Sequence, residues 1–184
     1  MLDIGSGESQ IKWIAYKPQN DEWQYNEGEI SEEAISAFIF DHESIKLGWG
    51  KIQRGVAPEY KWQNDLKIKE PAPGETGPDG WNRAISVDCY FKSEHMQGVY
   101  NWSTITKGAL QGINNIYADI FGHDESKNGK LAVLKYTGST ETDWRSRIPN
   151  FEIIKWVDRP EDWEEQSVEE PKPVEEEKED DLPF

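Results

Sequence analysis

Aromatic side chains beside Lys or Arg recur through the middle of this chain, and that pairing has a definite chemistry. An aromatic face stacks on a planar heterocycle, while a neighbouring cation meets an anionic group or the ring itself. Trp49 stands between two glycines close to Lys51 and Arg54, in LGWGKIQRG. Tyr60, Lys61 and Trp62 are contiguous. Trp81 and Arg83 open one apolar run, and Tyr90, Phe91 and Lys92 close it. Tyr100 and Trp102 precede Lys107, and Trp144, Arg145 and Arg147 share a polar loop. Nine Trp in 184 residues is a large number for a polar chain. For any one of these rings a place in the core competes evenly with a place in a groove. As a set they read as a groove.

The expected stacking residues are therefore Trp49, Tyr60, Trp62, Trp81, Tyr90, Phe91, Trp102 and Trp144. The expected phosphate contacts are Lys51, Arg54, Lys61, Arg83, Lys92, Lys107, Arg145 and Arg147. Strand alternation sends Tyr90 and Phe91 to opposite faces, so only one of them can enter a groove. Trp13 and Trp156 sit inside apolar runs and are assigned to the core. Trp23 and Trp163 lie in acidic stretches, unsuited to a phosphate chain.

The elements that must position these residues read mainly as β. Short apolar runs occupy 11–16 (IKWIAY), 35–40 (ISAFIF), 45–52 (IKLGWGKI), 84–91 (AISVDCYF), 98–105 (GVYNWSTI), 131–136 (LAVLKY) and 151–157 (FEIIKWV). Gly, Pro, Asn and Asp bound them, as strand ends require. The polar DHES separates the second and third runs, and PAPGETGPDG (71–80) reads as a long loop. One segment is helical: Leu110, Ile113, Ile116, Tyr117 and Ile120 share a face, and Gly122 ends it. The expected fold class is all-β to α+β, an OB-fold-like antiparallel barrel of about five to seven strands with one helix. Cys89 lies in an apolar run and is expected to be a buried small hydrophobe.

The net charge of −16 is unevenly spread. Residues 158–184 hold 13 acidic and 3 basic residues, a net of −10, which leaves 23 acidic and 17 basic residues in 1–157. The division expected is a binding domain over 1–157 and an acidic tail over 158–184. The tail mixes Glu, Lys and Pro with too little apolar surface to offset its ordering entropy, so it is expected to be disordered. Its last residues, Leu182, Pro183 and Phe184, break that composition and read as a docking peptide.

Motifs of catalysis are missing from the sequence. His42, His95 and His123 are far apart, with no metal-ligand spacing. No Walker A loop occurs, and GSGES (5–9) lacks the spacing and helix of a nucleophile elbow. The expectation is a protein that is not an enzyme, with no metal and no cofactor. Without an apolar run of membrane length or a leader, a cytoplasmic location is expected.

The C-terminus EEEKEDDLPF resembles the tip of bacterial single-stranded DNA-binding proteins, which end in Asp-Asp-(Ile/Leu)-Pro-Phe after acidic residues. The segments GWGKIQRGVAPEYKW and FEIIKWVDRPEDW look like phage-encoded members of that group. The resemblance implies single-stranded DNA binding with little sequence preference, in replication, recombination or repair. It also implies docking of partner proteins from those processes, with Pro183 and Phe184 as anchors, Leu182 beside them, and Asp180 and Asp181 as electrostatic steering. No DNA contact is carried over by resemblance. A homo-oligomer is compatible with the sequence. The competing reading is an acidic adaptor or DNA-mimic inhibitor, favoured by the negative body but with little need for base-flanked aromatics. A carbohydrate-binding β module would use exposed Trp equally well, but does not account for the DDLPF tip.

Overall fold

A computed structural model describes residues 12–161 and 163. Most of the expected tail, including DDLPF, lies outside them. Nine strands form one curled, mixed sheet, a half-barrel wrapped around one long helix. The strands are β1 (Trp13–Lys17), β2 (Glu22–Tyr25), β3 (Gly28–Glu29), β4 (Phe38–Lys51), β5 (Glu59–Trp62), β6 (Trp81–Lys92), β7 (Gln97–Thr104), β8 (Leu131–Thr140) and β9 (Ile148–Val157). Among the described residues the α-helices are α1 (Lys107–Phe121) and the short α2 (Asp124–Lys127), with a 3-10 turn at Ala34–Ser36. The spatial order is β3-β2-β1-β7-β6-β4-β8-β9, with β5 on β4. An antiparallel sheet was expected, but β1 runs parallel to β7.

Two differences from the sequence reading shape the site. The runs 35–40 and 45–52 are not separate strands: β4 continues through DHES as a bulge. On β4 the ladder advances five residues, Asp41 to Lys46, while on β6 it advances two, Asp88 to Ser86. The acidic stretch around Trp23, which lies outside the expected strands, supplies β2 and β3, with Trp23 buried inside.

The core lies between the concave face and α1. Ile85, Val87, Cys89 and Phe91 of β6, Tyr100 and Trp102 of β7, and Phe38 and Phe40 of β4 meet Ile113, Ile116 and Ile120 of α1. Rings pack edge to face here, as their quadrupoles prefer: Trp23 and Trp102 centroids are 4.9 Å apart, tilted 66°. Gly112 lets the helix approach β9, since a Cβ there would sit 2.6 Å from the Pro149 ring. Burial holds the Cys89 thiol well above its ordinary pKa, so it is an inert core group.

Packing on the body continues past residue 157. Trp163 is buried and stacks on Tyr90, at 5.7 Å and 17°. Arg159 reaches back to the bulge, donating to Asp41 Oδ2 at 2.7 Å, to Asp41 Oδ1 at 3.1 Å and to Glu43 Oε2 at 3.0 Å. The Asp41 side chain is 5% exposed. Hydrogen bonds from the guanidinium to Asp41 raise the Arg159 pKa, so the guanidinium stays charged.

Removing one partner of a buried pair leaves an uncompensated charge, which costs about 3–5 kcal/mol. Arg159→Ala is expected to fall near the low end, about 3 kcal/mol, because the guanidinium edge is partly exposed. Urea unfolding checks this. A loss below about 1 kcal/mol would show that the bulge does not depend on the clamp.

Candidate functional site

The long β4 changes neighbours halfway. Its first residues pair with β8, Phe38 to Phe40 against Leu134 to Ala132, and its last with β5, Gly48 to Lys51 against Trp62 to Glu59. β6 runs along its other edge throughout. The far half of β4, β5 and the start of β6 therefore form an arm beyond the core. Seven of the sixteen expected contact residues gather on it: Trp49, Lys51, Tyr60, Lys61, Trp62, Trp81 and Arg83. Arg54 follows in the exposed β4–β5 turn.

Strand alternation divides the arm into two faces. One carries Trp49, Lys61 and Arg83, which are in register. The Arg83 guanidinium lies 5.0 Å from the Trp49 ring, and the indole donates to Glu70 O at 3.0 Å. The loop after β5 folds over this side. Gln63 Nε2 donates to Asp65 O, and Gly74 packs on the ring of Trp81, which is buried. Trp81 is thus a support for the loop.

The other face carries Tyr60 and Trp62, two residues apart on β5, stacked at 5.0 Å and 9°. Both are half-buried, and burial raises the Tyr60 pKa. They lie over Gly48 and Gly50, their register partners. A Cβ at Gly48 would sit 2.1 Å from Lys61 O, and one at Gly50 would sit 2.6 Å from Ile105 Cγ2 and 2.9 Å from the Tyr60 ring. The GWG motif admits the aromatic step by giving up side chains beneath it.

Charge is also concentrated here. Residues 45–70 hold six basic side chains (Lys46, Lys51, Arg54, Lys61, Lys67, Lys69) against three acidic ones (Glu59, Asp65, Glu70), a net of +3 in a chain of −16. Ile52, Val56, Leu66 and Ile68 are exposed in the same segment.

The remaining expected residues are elsewhere. Phe91 and Trp102 are in the core, at 1% and 0% exposure, so neither offers a face to a ligand. Tyr90 is covered by Trp163. The expectation that one of Tyr90 and Phe91 enters a groove fails, because each face of β6 is covered at that end. Lys92 is exposed near Tyr90, 5.7 Å from its ring. Trp144 is exposed and capped by Lys107 at 4.3 Å; Arg145 is exposed beside it, whereas Arg147 is tied to Glu141 at 2.6 Å. Trp13, assigned to the core, is instead 44% exposed, on β1 in register with Asn101. Alternation in WIAYK, with Ile14 and Tyr16 inward, carries that signal.

Beyond the arm, the same outer face is polar. The Asn101 amide donates to Ser86 Oγ at 2.8 Å and to Asp88 Oδ1 at 3.0 Å, and Ser103 donates to Asn101 Oδ1. Asp88 has a raised pKa. Burial is the main cause; the Asn101 hydrogen bond opposes it, Asp41 adds repulsion, and Lys46 and Arg159 pull it down. Among the described residues no group of three or more His, Cys, Asp or Glu is placed to hold a metal ion, and no helix is long and apolar enough to cross a membrane. Comparison with protein-family models, curated proteins and solved structures finds no match to this chain.

A raised folded pKa means that the folded chain binds the Asp88 proton more tightly than the unfolded chain does. Stability is therefore lost as pH rises from the unfolded carboxylate value through the folded one, and the deficit persists at neutral pH. Asp88→Asn keeps an acceptor for Asn101 without the charge. It is expected to melt higher than wild type at pH 7, with the gap closing below the carboxylate range. A lower melting temperature at pH 7 would show that Lys46 and Arg159 stabilise the ionised form.

Proposed function

We propose that this protein binds single-stranded DNA with little sequence preference and without catalysis. The observation that carries the reading is the stacked, half-exposed Tyr60–Trp62 step on a net-positive arm of an otherwise acidic chain. Aromatic faces hold bases of any identity, each contributing about 1–3 kcal/mol, and local cations attract phosphates whatever the global charge. In this reading the curled sheet and its helix are an OB-like barrel, with β4, β5 and β6 presenting the strand. Trp144 and Lys107 form a second exposed aromatic–cation pair. The sequence of the acidic terminus supports a second part of the proposal: Asp180, Asp181, Leu182, Pro183 and Phe184 dock replication or recombination proteins. The resemblance to phage-encoded single-stranded DNA-binding proteins and a cytoplasmic site of action belong to the same reading.

Titration with oligo(dT) tests it through tryptophan fluorescence. Quenching is expected at low salt, with affinity falling as salt rises. A log–log slope of about −2 would correspond to about three phosphates. No quenching at low salt, in the full chain and in a chain ending at Trp163, would leave the acidic adaptor or DNA mimic as the better reading.

Residues 164–184 hold ten acidic and two basic residues, a net of −8. Ending the chain at Trp163 retains Arg159 and its ring partner while removing that charge. The shortened chain is expected to bind oligo(dT) more tightly at low salt, with the difference vanishing at high salt. Equal affinities at low salt would mean that the acidic terminus does not repel or displace the strand.

A further inference from the structure

The outer face of the sheet continues unbroken from the Tyr60–Trp62 step to Trp13. Register alone establishes this. Trp62 pairs with Gly48 and Gly48 with Ala84; Lys46 pairs with Ser86, Ser86 with Ser103, Asp88 with Asn101, and Asn101 with Trp13. Directly paired residues share a face, as do residues two apart on a strand. Five adjacent strands, β5, β4, β6, β7 and β1, span roughly 19 Å at about 4.8 Å each.

An antiparallel sheet commonly packs one face on the core and leaves the other polar, and this strip is the polar face. Gly48 and Gly50 lie beneath the Tyr60–Trp62 step, with Ile105 beside Gly50; beyond it the floor is Ala84, Ser86 and Ser103, all small, with Asn101 and Asp88 among them. Their mutual hydrogen bonds fix the donors and acceptors in place before any ligand arrives. At one end of the face Trp163 covers Tyr90. From Asp88 onward it carries exposed Lys46 and the exposed ring of Trp13.

We infer that this strip is the path of the bound strand, with Trp13 as a second stacking platform and Lys46 as a phosphate contact. The inference rests on the single-strand reading above. A low floor admits a chain of planar rings, the aromatic ends bracket it, and the fixed amide and hydroxyls face polar base edges. The opposite face of the arm, under the loop after β5, is closed by that loop's hydrogen bonds to Trp49 and Gln63.

Trp13→Ala and Lys46→Gln test the path, because both side chains are exposed and their removal leaves the core intact. Binding is measured with oligo(dT) and with an abasic oligonucleotide of equal length. Each substitution is expected to weaken oligo(dT) binding about fivefold or more, the effect of losing about 1 kcal/mol. Lys46→Gln should also weaken the abasic probe, whereas Trp13→Ala should leave it unchanged. Lys127→Gln on α2 removes the same charge away from the sheet and should stay within about twofold. Wild-type affinity for oligo(dT) in either Trp13→Ala or Lys46→Gln overturns the inference while leaving the function standing. A wild-type protein that does not bind oligo(dT) removes the function and this path together.

Discussion

The outer face of this protein depends on an odd number. Between Asp41 and Lys46 the β4 ladder gains three residues over β6. Because side chains alternate with period two, an odd insertion exchanges the faces of everything beyond it. Phe40 points to the core, yet Lys46, Gly48 and Gly50 point outward while Leu47 faces inward. Without the bulge the two glycines would open holes in the inner layer, and Leu47 and Trp49 would stand where Tyr60 and Trp62 now lie. Ser44 Oγ replaces a missing ladder acceptor by taking the Asp88 N–H at 2.8 Å. Arg159 fixes the remaining carboxylates. A residue beyond the last strand thus braces the bulge that sets which side chains face outward on the arm.

The rings divide according to these constraints more than according to their neighbours in sequence. Trp23 lies among acidic residues and is buried, because on β2 its side chain turns inward while Glu22 and Gln24 occupy the alternate positions. Trp102 precedes a lysine by five residues, yet lies at the centre of the core. Burial of an indole ring is worth several kcal/mol, so it takes the inward position wherever parity offers one. The rings left outside include Trp13, Tyr60, Trp62, Trp144 and Phe121, whose parity, edge position, loop or place at the helix end denied them the interior.

Periodicity made α1 legible almost to the residue. Ile113, Ile116 and Ile120 are buried, Leu110 and Tyr117 pack on the core edge, and Gly122 follows the last turn. The principal strands were legible for the same reason. The bulge was not, because DHES carries the polar residues of a turn and nothing local distinguishes the two. β2 and β3 were hidden by acidic side chains that point to solvent. The arm's aromatic–basic clustering was visible at Trp49 and at Tyr60 to Trp62. Its division into a closed face and an open one was not, since that depends on which strand pairs with which glycine. The clamp was invisible: Asp41 and Arg159 are 118 residues apart.

Acidity of the whole chain is a weak argument about what it binds. Screening limits each exposed charge to about 8–10 Å at ordinary salt, so an anion at the Tyr60–Trp62 step would feel the local +3 more than the carboxylates of β2 and β3 at the far edge of the sheet. What the global charge does is act on loosely held polyanions, which lack stacking to hold them close. A DNA mimic would require the opposite arrangement, carboxylates spaced along a surface and few cations among them. Here two carboxylates of the open face are restrained, Asp41 by its pair with Arg159 and Asp88 by its bond to Asn101 and by burial that disfavours the anion, while Glu22 and Glu29 stand beyond Trp13 at the sheet edge. The face that remains is one of small polar groups, exposed rings and Lys46, which suits an anionic chain of planar bases better than it suits a cationic protein surface.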